Sequence, residues 1–235
     1  LLENITNQTI FKDKCELILI NAASPGNEEA EILKFKEKYP ENVIYKKLDK
    51  DPGIYACWNK AIEISTGEYI TNANLDDRKK PTFLEDLARQ LHVNENIGVV
   101  YADNLVTNSP NETWENNTAS QLYPSEEFDL EAMLRGNPPH CMPMWRKELH
   151  KENGFFKEDY RSASDWEFWL RCAFAGVEMK KINKKLGLYY FNPKGMSTNK
   201  EHDTWKRQEE KEIFVKYFAL MKEKRQTEKE VELVL

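Results

Sequence analysis

The chain has no run of the roughly 18 to 20 uninterrupted apolar residues that a membrane-crossing helix requires, so no such helix is expected. It has no excess of positive charge. Its 34 basic residues are scattered among 40 acidic ones for a net charge of -6, which argues against nucleic acid as a partner, because that binding rests on phosphate neutralisation. Glycine is scarce, with nine in 235 residues, and neither G-x-G-x-x-G nor G-x-x-x-x-G-K-[ST] occurs, so a dinucleotide fold and a P-loop lack support. The four cysteines, Cys15, Cys57, Cys141 and Cys172, form no C-x-x-C pair, which leaves reduced thiols rather than a zinc knuckle or a redox couple. G-x-S-x-G and H-E-x-x-H are absent, and the histidines His92, His140, His150 and His202 show no ligand spacing. There is no internal repeat. No signal peptide stands at the amino end, so the sequons at Asn4 and Asn111 carry no glycosylation reading and the expected compartment is the cytoplasm.

What is present fits one α/β domain, since 235 residues at 40% hydrophobic content can bury a core without staples. Residues 15–24 form a continuous apolar run of strand length, as in a strand covered on both faces. A helix is predicted over 27–39, where acids in the first turn suit the helix dipole, followed by a short strand over NVIYKKL. Pro52-Gly53 then opens a helix that stops before Gly67, and residues 67–74 read as a third strand. Pro81 sits early in a helix running to about Leu91, and IGVVYADNLVT is a fourth strand. Residues 108–125 are polar and rich in turn formers, a long loop of the kind that is functional or mobile. A short helix at 129–134, a strand near 142–145, the helix of SASDWEFWLRCAFAGV and the strand LGLYYF complete the alternation. Strands and helices alternating at this spacing imply a mostly parallel, mixed sheet with helices on both faces, whose ligands sit at the carboxyl ends of the strands. Asn21 and the cluster at 74–77 lie at such ends.

Two adjacent acids, Asp76 and Asp77, close the third strand. They can serve as negative charges at the start of the helix entered at Pro81. They can also hold a hard divalent cation that in turn grips phosphate oxygens. In SASDWEFWLR, Ser164 or Asp165 can be a helix N-cap, or Asp165 a general base near a reacting hydroxyl. Trp166 and Trp169 fit the core, although an indole beside a catalytic acid would also suit the apolar face of a sugar ring. Among the histidines, His140 in the turn-rich GNPPHCMPMW is the candidate site residue.

In order along the chain, these segments resemble the family 2 glycosyltransferases of the GT-A fold. LLENITNQTIFKDKCELILINAASPGNEE is similar to that family's L-x-S-I-x-N-Q-T helix and the strand E-I-I-V-V-D-D-G-S-x-D. DPGIYACWNKAIEISTGEYITNANLDD is similar to G-x-x-x-A-R-N-x-G-I…G-x-Y-I-x-x-L-D-x-D-D, MPMWRKELHKENGFFKEDY to the M-x-R-R…G-G-F-D-E segment, and SASDWEFWLRCAFAG to the E-D-x-D-x-W-L-R helix. The resemblance implies a Rossmann-like GT-A domain over 1–200, with a donor-binding half at about 1–105 and an acceptor-binding half at about 106–200, and a charged C-terminal helix over 201–235. It implies a nucleotide-sugar donor, a UDP-sugar in the first place, a glycan or lipid-linked acceptor, and Mn2+ or Mg2+ on the diphosphate. Carried over, Asp76 falls on the metal ligand of D-x-D and Asn74 on its first acid, with Asp77 beside them at the donor. Asp165 falls on the catalytic base, Asn21 on an acid touching base or ribose, and Asp51 in the base-recognising loop. YYFNPKGMS is similar to the segment that closes over the diphosphate, which puts Lys194 and Ser197 at the donor; Trp166 and His140 are placed at the acceptor. Asn21, Asn74, Trp58, Ser164 and Asn192 depart from the family's residues, and the family's first strand, ending in Pro-x-Tyr-Asn, has no counterpart ahead of Leu1. Transfer of a single sugar with inversion is the implied activity; a catalytically silent binding module on the same fold is the alternative, and a nucleotidyltransferase lacks its G-x-G-T-R loop. The C-terminal helix is expected to be solvated, or else to dock on a neighbouring domain, a second copy or a membrane surface.

Overall fold

The computed structural model describes residues 1–232. Short helices α1 (Leu2–Thr6) and α2 (Phe11–Lys14) lead into β1 (Leu17–Ala22), followed by α3 (Glu28–Lys38), β2 (Val43–Leu48), α4 (Ile54–Ile64), β3 (Tyr69–Thr71) and β4 (Arg78–Lys79). Then come α5 (Phe83–Val93), β5 (Ile97–Thr107), β6 (Gln121–Tyr123), α6 (Leu130–Arg135), β7 (Met144–Arg146) and α7 (Leu149–Asn153). The chain continues through α8 (Ser164–Phe174), β8 (Glu178–Tyr190) and the long α9 (Asp203–Glu232).

The sheet is mixed and lies in two pieces. β1 and β2 pair in parallel, while the larger piece runs β3-β7-β5-β8-β4 with β6 attached to β5. Within it only β5 and β8 are parallel; β3-β7, β5-β7, β5-β6 and β4-β8 are antiparallel. The expectation of a mostly parallel sheet is corrected here. A crossover helix imposes parallel pairing only on the strands it joins, and β7 is reached through the 108–125 segment and α6, so it enters in the opposite sense. β3 is also shorter than the predicted 67–74, because residues beyond Thr71 turn away to make side-chain bonds. β1 and β3 do not pair with each other, and each keeps one edge without a strand partner among the described residues.

β5 explains the layering. Val99 and Tyr101 face one side, into a cluster with Trp145, Phe156, Phe168 and Trp169, while Val100 and Ala102 face the other, against Phe83, Leu87 and Leu91 of α5. A strand covered on both faces must be apolar at every position, which is why this segment reads without alternation.

α9 is not a solvated helix. Ile213, Tyr217 and Met221, spaced four apart, are buried in the cluster under α8. Glu209 accepts hydrogen bonds from the Arg161 and Ser162 amides at 2.7 and 3.1 Å, and Tyr217 Oη donates to Glu167 Oε1 at 2.8 Å. Glu167 has no exposed surface and also meets Arg171, Lys216 and Lys157 at 2.7, 3.0 and 3.4 Å. Its burial works to raise the carboxyl, but the hydrogen bonds from Lys216, Arg171 and Tyr217 and the Arg171 charge outweigh that and bring it down to about 2. A carboxylate whose folded value lies below its unfolded one, about 4.3, stabilises the fold above that pH and loses the contribution as pH falls toward 2. Glu167→Gln is therefore expected to flatten the loss of melting temperature between about pH 4.5 and 2, as read by thermal unfolding across a pH series. At pH 7 the same variant should melt lower, by about 4 °C.

Candidate active site

The carboxyl ends of β1 and β3, the first turns of α4 and α8, and the segments 135–141 and 189–198 line one end of a broad cavity of about 2390 Å³ that also runs along the length of β1 and past α5.

The two adjacent acids of the third strand end part company. Asp77 is 3% exposed and accepts hydrogen bonds from Asn74 Nδ2 at 2.9 Å and from the Tyr190 amide at 3.1 Å. Burial pushes its carboxyl up to about 6, against those two bonds. It braces the 72–77 turn against β8 and also lines the cavity. Asp76 points outward, is exposed, lines the cavity and has no hydrogen-bond partner among the described residues. Asn74 lines the cavity but its amide is spent locally, donating to Asp77 and accepting from Asn72 Nδ2 at 3.2 Å. Lys79, which sequence reasoning missed, is buried beside Asp77 with its ammonium 4.4 Å from the Phe83 ring centre. Burial lowers its amine to about 8 despite the Asp77 charge.

Asp165 stands in the first turn of α8 and lines the same cavity as Asp76. It is not an N-cap: that place belongs to Ala163, and no side chain caps the helix. Tyr55 Oη donates to its Oδ1 at 3.0 Å and Asn137 Nδ2 to its Oδ2 at 2.8 Å. Burial raises the carboxyl above the ordinary value, and these two bonds oppose the rise. Neither partner carried a sequence signal of its own, because Tyr55 lies 110 residues away in the chain and Asn137 lies in a proline-rich turn.

The remaining candidates divide. Asp51 is at the cavity, where its Oδ1 accepts from the Gly53 amide at 2.8 Å; φ of 93° at residue 53 makes glycine the fitting residue. Ser197 also lines it, exposed, whereas Lys194 is exposed and does not line it. Asn21 does not line the cavity: it is 6% exposed, donates to Tyr45 Oη at 3.1 Å and accepts from the Ser24 amide at 2.9 Å, so both ends of its amide are committed. Trp166 is mainly core, 9% exposed with Nε1 donating to the Met133 carbonyl at 2.7 Å, and only an edge reaches the cavity. Trp58, standing where the resemblance implies arginine, packs edge-on against Tyr55 and Phe156 at 5.5 Å each. His140 reaches the cavity, stacked on Tyr123 at 4.0 Å and edge-on to Tyr189 at 5.0 Å. Burial lowers its imidazole to about 4, so it is neutral at pH 7.

Among the described residues no group of three or more His, Cys, Asp or Glu side chains could enclose a metal. Asp76 by itself, exposed and unbonded, fits the mode in which magnesium or manganese takes one protein carboxylate and completes its shell with phosphate oxygens and water. Among those residues, too, no helix is long and apolar enough to cross a membrane.

The family model described as glycosyl transferase family 2 matches residues 1–154. A relative named uncharacterized glycosyltransferase YwdF, from Bacillus subtilis, is 26% identical over 199 residues, covering 83% of this chain and 69% of its own. Among solved structures, S. aureus TarS residues 1–349 in complex with UDP superposes with a TM-score of 0.65 at 20% identity, over 82% of this chain and 56% of that one. The mannosyltransferase PcManGT from Pyrobaculum calidifontis, in complex with GDP-Man and Mn2+, gives a TM-score of 0.62 at 16% identity, over 83% and 53%. The chain spans little more than half the length of these two solved chains. Likeness at such identities shows a shared GT-A fold.

Proposed function

Since this chain belongs to glycosyl transferase family 2, we propose that it moves a single sugar from a nucleotide-sugar donor to a hydroxyl of a glycan or lipid-linked acceptor, with inversion. The observation that carries this reading is Asp165: a half-buried carboxylate with a raised pKa, held by two hydrogen bonds on the wall of the cavity that Asp76 also lines. A general base works best when its pKa lies toward the operating pH, and burial moves this one that way.

Asp165 takes the proton from the acceptor hydroxyl as its oxygen attacks the anomeric carbon, and the nucleoside diphosphate leaves on the opposite side. Asp76 would hold Mn2+ or Mg2+, which, when bound, neutralises charge on the departing diphosphate. Asp51, Asn74 and Ser197 lie where the donor would extend along the cavity, with His140 and the edge of Trp166 toward the acceptor. Asp77 supports the donor side by fixing Asn74. The UDP on TarS and the GDP-Man with Mn2+ on PcManGT support a nucleotide-sugar donor and a divalent cation. A UDP-sugar remains the first donor to try.

The committed amides of Asn21 and Asn74 favour one rival, a module that binds sugar or nucleotide without turnover. Thermal shift with a panel of UDP-, GDP- and dTDP-sugars in manganese, beside an assay for released nucleoside diphosphate, separates the two. A donor at 100 times its dissociation constant adds about 2.7 kcal/mol, a rise of roughly 5 to 11 °C for a chain of this size. A shift accompanied by release supports the transferase. A shift with no release for any donor, with simple alcohols and sugars supplied as acceptors, supports the silent module.

A further inference from the structure

Five buried side-chain polar atoms lack a partner among the described residues: Asn72 Oδ1, Asn137 Oδ1, His140 Nδ1, Ser164 Oγ and Trp169 Nε1. They are not spread at random. Asn137 and His140 share one loop, Asn72 donates from its other amide atom to the Cys141 carbonyl at 2.6 Å, and Ser164 precedes Asp165. His140 also holds φ at 48°, in the left-handed region that residues other than glycine adopt uncommonly. Unpaired buried polar atoms and strained backbone both lower stability, and where they gather they mark a stretch shaped for something else.

Asn137 shows what that is. Turned over, its amide would set an oxygen against the Asp165 carboxylate; the charge therefore dictates that Nδ2 faces Asp165 and that Oδ1 is left without a donor. Tyr55, on α4, grips the other carboxylate oxygen. The two grips come from separate parts of the chain, one from α4 and one from the loop after α6. We propose that Tyr55 and Asn137 are a pair of positioning residues that fix the Asp165 carboxylate and restrain its proton affinity, and that the 137–140 loop gives up stability to do so. The catalytic importance of this pair rests on the reading of Asp165 as base, but the grip itself does not.

Other charges leave the carboxylate alone. On its own helix, Glu167 and Arg171 pair with each other, with Lys157 and with Lys216 of α9. Ahead of it Arg161 lies over the Trp205 ring, from α9 Glu209 binds the 161–162 backbone, and from α6 Arg135 bridges to Glu126 and Glu131 to Arg225. Tyr55 is the titratable group in contact.

The test is a carbon-13 carboxyl titration of aspartate-labelled protein, with the Asp165 signal assigned by its loss in Asp165→Asn. Removing a hydrogen bond to the charged form should raise the titration midpoint by about one pH unit in Tyr55→Phe and again in Asn137→Leu. In Asn137→Leu the stranded oxygen leaves with the amide, so melting temperature should be unchanged or higher at about pH 3, where Asp165 is protonated, and lower at about pH 8, because a carboxyl whose folded pKa is raised further loses stability as pH rises through it. Midpoints that stay at the wild-type value in both variants overturn the proposal, as does a lowered melting temperature in Asn137→Leu with an unmoved midpoint. Should Asn137→Leu fail to fold, the isosteric Tyr55→Phe decides by its midpoint alone. A donor panel without turnover would leave this titration untouched, so the two readings fail separately.

Discussion

Asp165→Asn is expected to lower sugar transfer by about 10²- to 10⁴-fold, the contribution of a placed general base, while leaving donor binding nearly intact. The same change is expected to make the protein harder to unfold. The new carboxamide keeps the shape of the carboxylate, so Tyr55 can still donate to its oxygen. Its nitrogen would face Asn137, whose amide is then free to turn and present the oxygen that otherwise has no donor. The variant also removes a half-buried acid whose pKa the fold raises. Because the folded pKa of Asp165 lies above its unfolded value near 3.9, its favourable contribution is complete below that value and is lost as pH rises through the folded one. The variant's advantage should therefore appear only at higher pH. Transfer assayed by nucleoside diphosphate release, with melting curves at about pH 4 and pH 8, reads all three effects. Transfer persisting in this variant would remove Asp165 from the role of base.

Asp76→Ala is expected to abolish the manganese-dependent part of donor binding, weakening affinity by at least on the order of tenfold to a hundredfold, the loss typical when a residue supporting a metal is removed. Its melting temperature without ligand should hardly change, since the side chain is exposed and bonds to nothing among the described residues. Asp77→Ala should do the reverse. It strands Asn74 Nδ2 and the buried Tyr190 amide, at about 1–3 kcal/mol for each group left unpaired, so the fold weakens before any ligand is added. Isothermal titration with UDP in the presence and absence of Mn2+, beside the melting curves, distinguishes neighbours that the sequence shows as a matched pair. Equal manganese dependence in wild type and Asp76→Ala would count against the metal site.

That pair marks how far the sequence can be read. The apolar text at 97–107 was legible as a strand, and Pro81 as the opening of a helix to about Leu91, but that this helix covers one face of that strand appears only in the packing of Phe83, Leu87 and Leu91 on Val100 and Ala102. β8 was legible only at its end, because Met179 and Ile182 alternate with lysines and a polar run that hide the strand's apolar face. The direction of β3, β7 and β5 was not legible at all: pairing sense depends on which strands meet after a long connection, and no local period records that. Asp76 and Asp165 do face one cavity. Asn21 does not, because Tyr45 and Ser24 capture it first, and no spacing along the chain foretells a tyrosine on the next strand. Tyr55 and Asn137 escaped notice for the same reason, as contacts that exist only once the fold has closed.

The unpaired margins of β1 and β3 carry a practical consequence. Bare amides and carbonyls along a strand are a template on which other molecules assemble edge to edge. Glu16, just ahead of β1, accepts from the Thr66 and Gly67 amides at 2.5 and 3.0 Å and so ties one end of that template to the approach to β3. Losing that tie would free one end of the seam, which is where edge-to-edge assembly in concentrated stocks of this protein is expected to nucleate.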